Sequence, residues 1–552
     1  MPDPNTPNNQ AVPTPAQPNP NPAVPPAPAQ AYVPPAPVQA PAPEPAPVPP
    51  LQPIVSSAPS VPPPPPPSAP PAQPLPKYEP AVSTGMSGKI KVALIIGLLL
   101  TIIGGLLSIF GSSLPFFSGS SGPVALKYWG LWEPESVIRP LIEEYQALHP
   151  NVTITYEKRT PTQYRESLLS RLSSGEEAPD IFRIHNTWLP MLKDELSEVP
   201  GSVYSASDLS SVFYPTVGES LSTGGKYYGI PLMFDGLALV YNADLFQAAG
   251  LAAPPETWSD VRLTYAPKLT SYNQDGSIAV SGIALGTSTN VDNFSDILGL
   301  LMLQNNVQMI KDGQVNFHKS TSTEGRNLGA DALDFYTLFA KKIFSDKGAV
   351  WDESLPSSVD AFATGKVAMI LVPSYRIFDI LNLMAQSGKQ FSLKVAPTPQ
   401  PLPVGQRQPV HWATYWAEAV SKRSPNQAVA WDFLKFLSSK DQMLKMYSEQ
   451  AKLRPFGEVP SRTDLADTYK DDRYIGPYVQ SASFAKSWYL ASGTSDKGIN
   501  DQLITYFGDA VTSVVRKGTP SLEALTAAAT GANQVLGRYG LVQTSAAGAE
   551  SQ

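Results

Sequence analysis

The sequence predicts an α/β protein of two lobes, carried behind a proline-rich tail and one membrane-spanning helix. Three observations predict it. From Val124 onward, period-two apolar runs alternate with helical stripes; that part is about 415 residues long; and what precedes it has a composition that cannot bury a core.

The tail comes first. Of the 59 prolines, 33 fall in the first 80 residues, where only Asp3, Glu44, Lys77 and Glu79 are charged. So few apolar side chains cannot offset the cost of ordering the backbone. Residues 1–88 are therefore expected to be a disordered, largely polyproline II tail, acting as a spacer or as a docking segment for a proline-recognising partner. Residues 89–112 follow as an anchor. Val92 to Phe110 is an uncharged run of 19 in which only Thr101 and Ser108 are polar. At about 1.5 Å per residue it nearly crosses a hydrocarbon layer of about 30 Å. A cleaved signal peptide fits poorly, since some 88 residues precede the run and no small-x-small cleavage site follows it. Lys89 and Lys91 flank its N-terminal side, and no charge follows until Lys127. By the positive-inside bias this is a single-pass protein of the cell membrane, its N-terminus cytoplasmic and the rest outside. Residues 113–123 read as a linker.

In the outer part "VALKYW" reads as a strand, and the next helix carries Val137, Ile138, Leu141, Ile142, Tyr145 and Leu148 on one face, with Pro140 blurring its start. "VTITYE" is a second strand, a helix with Leu168, Leu169 and Leu172 follows, and "PDIFRIH" is a third strand. That alternation implies right-handed crossovers and a mostly parallel sheet. Farther on, a helix places Leu328, Ala332, Phe335 or Tyr336, and Phe339 on one face. Ser424 reads as an N-cap with Pro425 at the first helical position, and Ser439 with Gln442 has capping-box spacing. Residues 541–552 have neither periodicity nor bulk and are expected to be disordered.

Composition also excludes. There is no cysteine, so disulfides, thiol catalysis and a lipidated cysteine are ruled out. The net charge of −7 comes without any basic stripe, which argues against nucleic acid as a partner. The four histidines, His149, His185, His318 and His411, show no metal-ligand spacing, and neither a G-x-S-x-G elbow nor a phosphate loop is present. Glu176 and Glu177 read as a solvated loop. No metal, cofactor or enzyme activity is expected.

Four stretches in order carry a resemblance: "FRIHNTWLPMLKDELSEV" after "APDIF", "GKYYGIPLMFDGLALVYNADLFQAAGL" with "PPETWSD", "AFATGKVAMILVPSYR", and "WAEAVSKRSPNQAVAWDFLKFLSS" leading into "LRPFGEVPSR". Together they resemble the extracellular solute-binding proteins of ABC importers, in the carbohydrate-binding group that includes maltose-binding protein. The resemblance covers roughly Val124 to Tyr539. It implies a periplasmic-binding-protein-like fold with an inter-lobe cleft, lobe 1 from 124–234 and 417–455, and lobe 2 from 235–416 and 456–540. Chain crossings would lie near Pro231 to Leu239, His411 to Trp416, and Arg454 to Pro460. It further implies a monomer that captures an oligosaccharide-like ligand by lobe closure and presents it to an ABC permease. The alternatives are an anchored sensor or surface scaffold and, from another class, an anchored glycan hydrolase. This sequence departs from the group in its apolar anchor and in Met233, where a small residue is frequent.

A sugar cleft needs planar rings for stacking and amides or carboxylates for its hydroxyls. Trp129 and Trp132 stand at the end of the first strand, where open α/β sheets bind ligands, and Glu133 serves either a hydroxyl or the helix start. His185, Asn186 and Trp188 follow the third strand. Phe234 and Asp235 lie in the first crossing, where an acid needs either a ligand or a neighbouring arginine if buried. Tyr375, Arg376, Trp412, Tyr415 and Trp416 would line the second lobe and its crossing, at least one of the aromatics being core, while Asp292 and Asn293 lie in a polar loop. Trp258, Trp351 and Trp431 are assigned to packing.

Overall fold

The computed structural model describes residues 122–543, apart from residues 343 and 345. The proline-rich tail, the apolar anchor, most of the linker and the chain beyond residue 543 lie outside the described residues. Among the described residues no helix is long and apolar enough to cross a membrane.

The fold has two α/β lobes. The sheet of the first runs in the order 416–420, 181–185, 124–130, 152–158. Val124–Gly130 lies parallel to Val152–Lys158, with Val124 opposite Val152, and parallel to Ile181–His185. These are the three expected parallel strands. Trp416–Val420, however, runs antiparallel to Ile181–His185, pairing Trp416 with His185 and Glu418 with Arg183. It arrives from the other lobe rather than through a βαβ crossover, so the parallel rule does not bind it.

The helix Glu135–Leu148 buries Val137, Ile138, Leu141, Ile142 and Tyr145, and Pro140 lies inside it without ending it. Leu148, expected on the same face, is exposed at the last turn. The helix Lys440–Ala451 packs against it. Ser439 does hold the N-cap position there, but its side chain makes no cap bond. Gln442 donates to Glu144 Oε1 instead, at 2.8 Å, so a tertiary partner displaces the capping box. The preceding helix begins at Gln427, two residues later than the Ser424–Pro425 signal suggests, although Ser424 Oγ does accept the Asn426 amide.

The second lobe holds a three-stranded antiparallel sheet, Ala238–Asn242 between Met369–Val372 and Leu393–Ala396. The helices Phe294–Gln304, Leu328–Leu338, Ile499–Lys517 and Ser521–Arg538 pack on one another. Of the expected face in Leu328–Leu338, Ala332, Tyr336 and, just past the helix end, Phe339 are buried and Leu328 only partly so, with Leu333 buried beside them and Asn327 accepting the Ala330 amide as the cap. Trp258, Trp351 and Trp431 are buried packing residues, as expected.

Short pairings tie the connecting segments together. Met233–Phe234 runs antiparallel to Val459–Pro460, and His411–Trp412 runs parallel to Ala485–Lys486. Gly236 bridges Ala413 so closely that a Cβ would stand 2.0 Å from the Trp412 carbonyl oxygen, which leaves glycine alone at that position.

Beneath the strand ends of the first lobe lies a charged core. Arg183 Nη1 donates to Glu133 Oε2 at 2.5 Å, and its Nε and Nη2 donate to Glu418 Oε1 at 2.8 and 2.5 Å. All three side chains are buried. Burial pushes the Glu418 carboxyl up while the Arg183 guanidinium pulls it down, and the net direction is upward. Arg183→Met would leave two buried carboxylates without their cation; we expect it to lose about 3–5 kcal/mol of stability, measured as the shift in the urea-unfolding curve.

Candidate functional site

A cavity of about 410 Å³ opens where the strand ends of both lobes meet the connecting segments. The first lobe contributes Trp132, just past the first strand, His185 at the end of the third, and Trp416 at the start of the returning strand. The second contributes Pro373, Tyr375, Arg376, Phe378 and Asp379, directly after Met369–Val372. Met233, Asp235, Thr414, Tyr415, Arg454 and Glu458 come from the connecting segments, and the loop Ser492, Gly493, Thr494 completes the lining.

Its aromatic wall is built edge to face. The Trp132 and Trp416 rings stand 5.6 Å apart at 72°, and Trp416 meets His185 and Trp188 at 5.1 Å each. Trp132 is 37% exposed and Tyr375 38%, the most open aromatic rings of the lining. Tyr415 presents only its ring, because its hydroxyl is engaged with Ser220 Oγ at 2.7 Å.

Charge in the lining is mostly paired. Arg376 Nη1 donates to Asp379 Oδ2 at 3.0 Å, Arg454 pairs with Glu458 at 2.8 Å, and the Arg454 guanidinium lies 4.7 Å over the Phe378 ring. Asp235 is buried and accepts from the Gly236 and Ser374 amides and from Ser374 Oγ. Burial pushes its carboxyl up to about 7, against those three donors. The same cause lowers the His185 imidazole to about 3 and keeps it neutral. Its ring nitrogens bond the hydroxyls of Thr187 and Thr414. Among the described residues no cluster of three His, Cys, Asp or Glu is placed to hold a metal.

Of the expected site residues, Trp132, His185, Asp235, Tyr375, Arg376, Tyr415 and Trp416 line this cavity. The other eight lie elsewhere. Trp129 is buried within its strand, against Tyr164 and 4.2 Å beneath the Arg159 guanidinium. Glu133 is held by Arg183. Asn186 lies in the turn after the strand, where its side-chain amide donates to Ser487 Oγ and accepts from the Tyr415 backbone amide. Trp188 packs edge-on behind Trp416. Phe234 is buried between Tyr214 and Tyr415. Asp292 accepts from Ser358 Oγ and the Val359 amide at the start of the helix Ser358–Ala363, and Asn293 donates to Ser492 Oγ. The buried Trp412 donates its indole N–H to Asp296 at 2.8 Å. Its ring covers Gly299, where a Cβ would stand 2.6 Å away.

Arg454 and Glu458 were missed although they lie within "LRPFGEVP"; charges four residues apart beside a phenylalanine were the available signal. Asp379, three residues beyond Arg376, was legible in the same way. Nothing in "SGTS" marked Ser492 to Thr494.

A family model for the bacterial extracellular solute-binding protein matches residues 131–444, more than half of the chain. The chain belongs to the bacterial extracellular solute-binding protein family. Among its relatives, a maltotriose-binding protein of Pyrococcus abyssi is 26% identical over 144 residues, 26% of this chain and 30% of that protein. The chain spans about a third of the length of the first curated relatives it matches. The solute-binding fold is also that of the sugar-binding protein MalE from Xanthomonas citri, with a TM-score of 0.60 at 18% identity over 75% of this chain and 98% of that one. A cyclo/maltodextrin-binding protein complexed with maltotetraose gives a TM-score of 0.58 at 17% identity, covering 76% and 99%. These two likenesses establish the fold.

The elevated Asp235 carboxyl sets a pH dependence. The folded protein binds a proton there that the unfolded chain releases near pH 4, so this group's contribution to stability is full below about pH 4. It falls as pH rises and is gone above about 7. Asp235→Asn keeps an acceptor for the two amides and removes the titration. In urea unfolding between pH 5 and 8, we expect the wild type to lose stability relative to this variant as pH rises.

Proposed function

We propose that the chain is a membrane-anchored, extracytoplasmic receptor that takes an oligosaccharide-like ligand into this cavity by closure of its two lobes and presents it to an ABC importer. The observation that carries the reading is the pair of open rings on facing lobes. Trp132, edge-on to Trp416, belongs to the first lobe and Tyr375 to the second, both bordering one cavity with Arg376, Asp379, Arg454, Glu458 and Asp235. Rings stack on the C–H faces of a sugar while paired carboxylates and guanidinia meet its hydroxyls. A volume of about 410 Å³ is near the small end of the roughly 300–1,000 Å³ usual for ligand pockets, which suits a short saccharide. The sugars carried in the names of relatives, maltotriose and maltotetraose, point the same way. The lobes divide as 124–234 with 417–455 and 235–416 with 456–540. The anchor at 89–112, with the tail in the cytoplasm, is supported by the sequence alone, and the receptor acts as a monomer without a cofactor.

Titrating the purified protein with maltotriose, maltotetraose and mannotriose while following tryptophan fluorescence tests the reading; a response to a peptide or polyamine and to none of the sugars would overturn it. Trp132→Ala and Trp416→Ala are each expected to weaken sugar binding by about 0.5–1.5 kcal/mol, up to roughly tenfold, and Trp129→Phe to leave it unchanged.

A further inference from the structure

Glu133 follows Trp132 directly, and the structure holds it at two points. Its backbone carbonyl accepts from the Tyr156 hydroxyl at 2.8 Å, and its carboxylate accepts from Arg183 at 2.5 Å. Arg183 is in turn fixed to Glu418, its directly opposed partner on the returning strand. Side chains two apart on a strand share a face, so Arg183 lies on the same face as His185, and Glu418 on the same face as Trp416. The ion cluster therefore sits one step below the aromatic wall and links the loop that carries Trp132 to the strand pair that carries His185 and Trp416.

We propose that Glu133, acting through Arg183 and Glu418, is a positioning residue that sets the Trp132 indole at its angle to Trp416 and so shapes the sugar-binding wall. The inference rests on the reading of the cavity as a sugar site. A plain salt bridge would need one carboxylate for the guanidinium; here there are two, and the second comes from the loop beside the open indole. The stoichiometry separates positioning from folding. Removing the Glu133 carboxylate leaves Arg183 and Glu418 paired one to one, whereas removing Arg183 strands both acids.

The test is a double-mutant cycle with maltotriose as the probe, on the full-length protein. Glu133→Met is expected to keep a thermal midpoint near that of the wild type and to weaken maltotriose by roughly threefold to tenfold, the worth of one well-oriented aromatic contact. Its effect should vanish in the Trp132→Ala background, because the two changes act on one contact. An equal loss in both backgrounds, or a midpoint that falls as far as in Arg183→Met, would overturn the proposal. Acrylamide quenching assigned to Trp132, as the wild type minus Trp132→Phe, gives a readout without ligand. Glu133→Met should raise it, and unchanged quenching would overturn the positioning role. Absence of any maltotriose response in the wild type would count against the sugar reading alone, and the quenching would then decide the positioning.

Discussion

The geometry depends on one long-range pairing, the antiparallel return of Trp416–Val420 to the edge of Ile181–His185. Closing so long a loop costs entropy that local contacts do not return, and an edge pairing of five residues could slip. The buried charges forbid the slip. A shift of one residue would turn Glu418 to the other face of the sheet, leaving Arg183 and Glu418 both buried and apart. The ion cluster therefore acts as a register lock, the role for which buried ionic groups have the firmest physical rationale. Because the register is fixed, Trp416 lands opposite His185, and the residues just before it, Thr414 and Tyr415, must cross at the junction of the lobes.

The same economy governs the acids near the junction. Asp235 and Asp296 are buried with no cation bonded to either among the described residues, yet both are supplied with donors: two amides and a hydroxyl for the first, an indole N–H and the Ser492 amide for the second. Fully hydrogen-bonded buried acids rigidify what they hold, so Asp235 ties the segment after Phe234 to Ser374, and Asp296 ties Trp412 to Ser492. Burial raises both carboxyls, to about 7 and about 6. Charge that could meet a ligand is left to the arginine–carboxylate pairs around the cavity, Arg376 with Asp379 and Arg454 with Glu458.

The fold was largely legible because strand and helix periods differ, and the first three strands with their helices follow the pattern of the residues. The second sheet was not, since Met369–Val372 and Leu393–Ala396 pair with a strand far away in sequence and carry no local mark of direction. The lining of the candidate cavity was legible where it sits just past strand ends, as with His185 and Tyr375. It failed where the residues do not mark the point at which a strand ends. Trp129 and Trp132 look equivalent in "KYWGLWE", but Trp129 is still within the strand and points into the core, whereas Trp132 lies past its end and is free to face the cavity. Trp412 likewise satisfies its indole N–H on Asp296 inside the second lobe, a contact between elements that no spacing in the sequence announces.

On the proposed reading, neither lobe carries a complete binding surface. The first offers edge-to-face indoles with a neutral histidine, and the second a tyrosine with an arginine–carboxylate pair. A ligand can favour the closed arrangement only by interactions it makes there and not in the open one. Rings with no exposed surface have none left to bury against a ligand, which removes Trp129, Trp188 and Trp412 from consideration. The rings still open to solvent, Trp132 on one lobe and Tyr375 on the other, have surface left to bury. On the proposed reading, the free energy that closes the lobes is therefore gained mainly at these two rings, one from each side, and a ligand too small to reach both would bind without closing them.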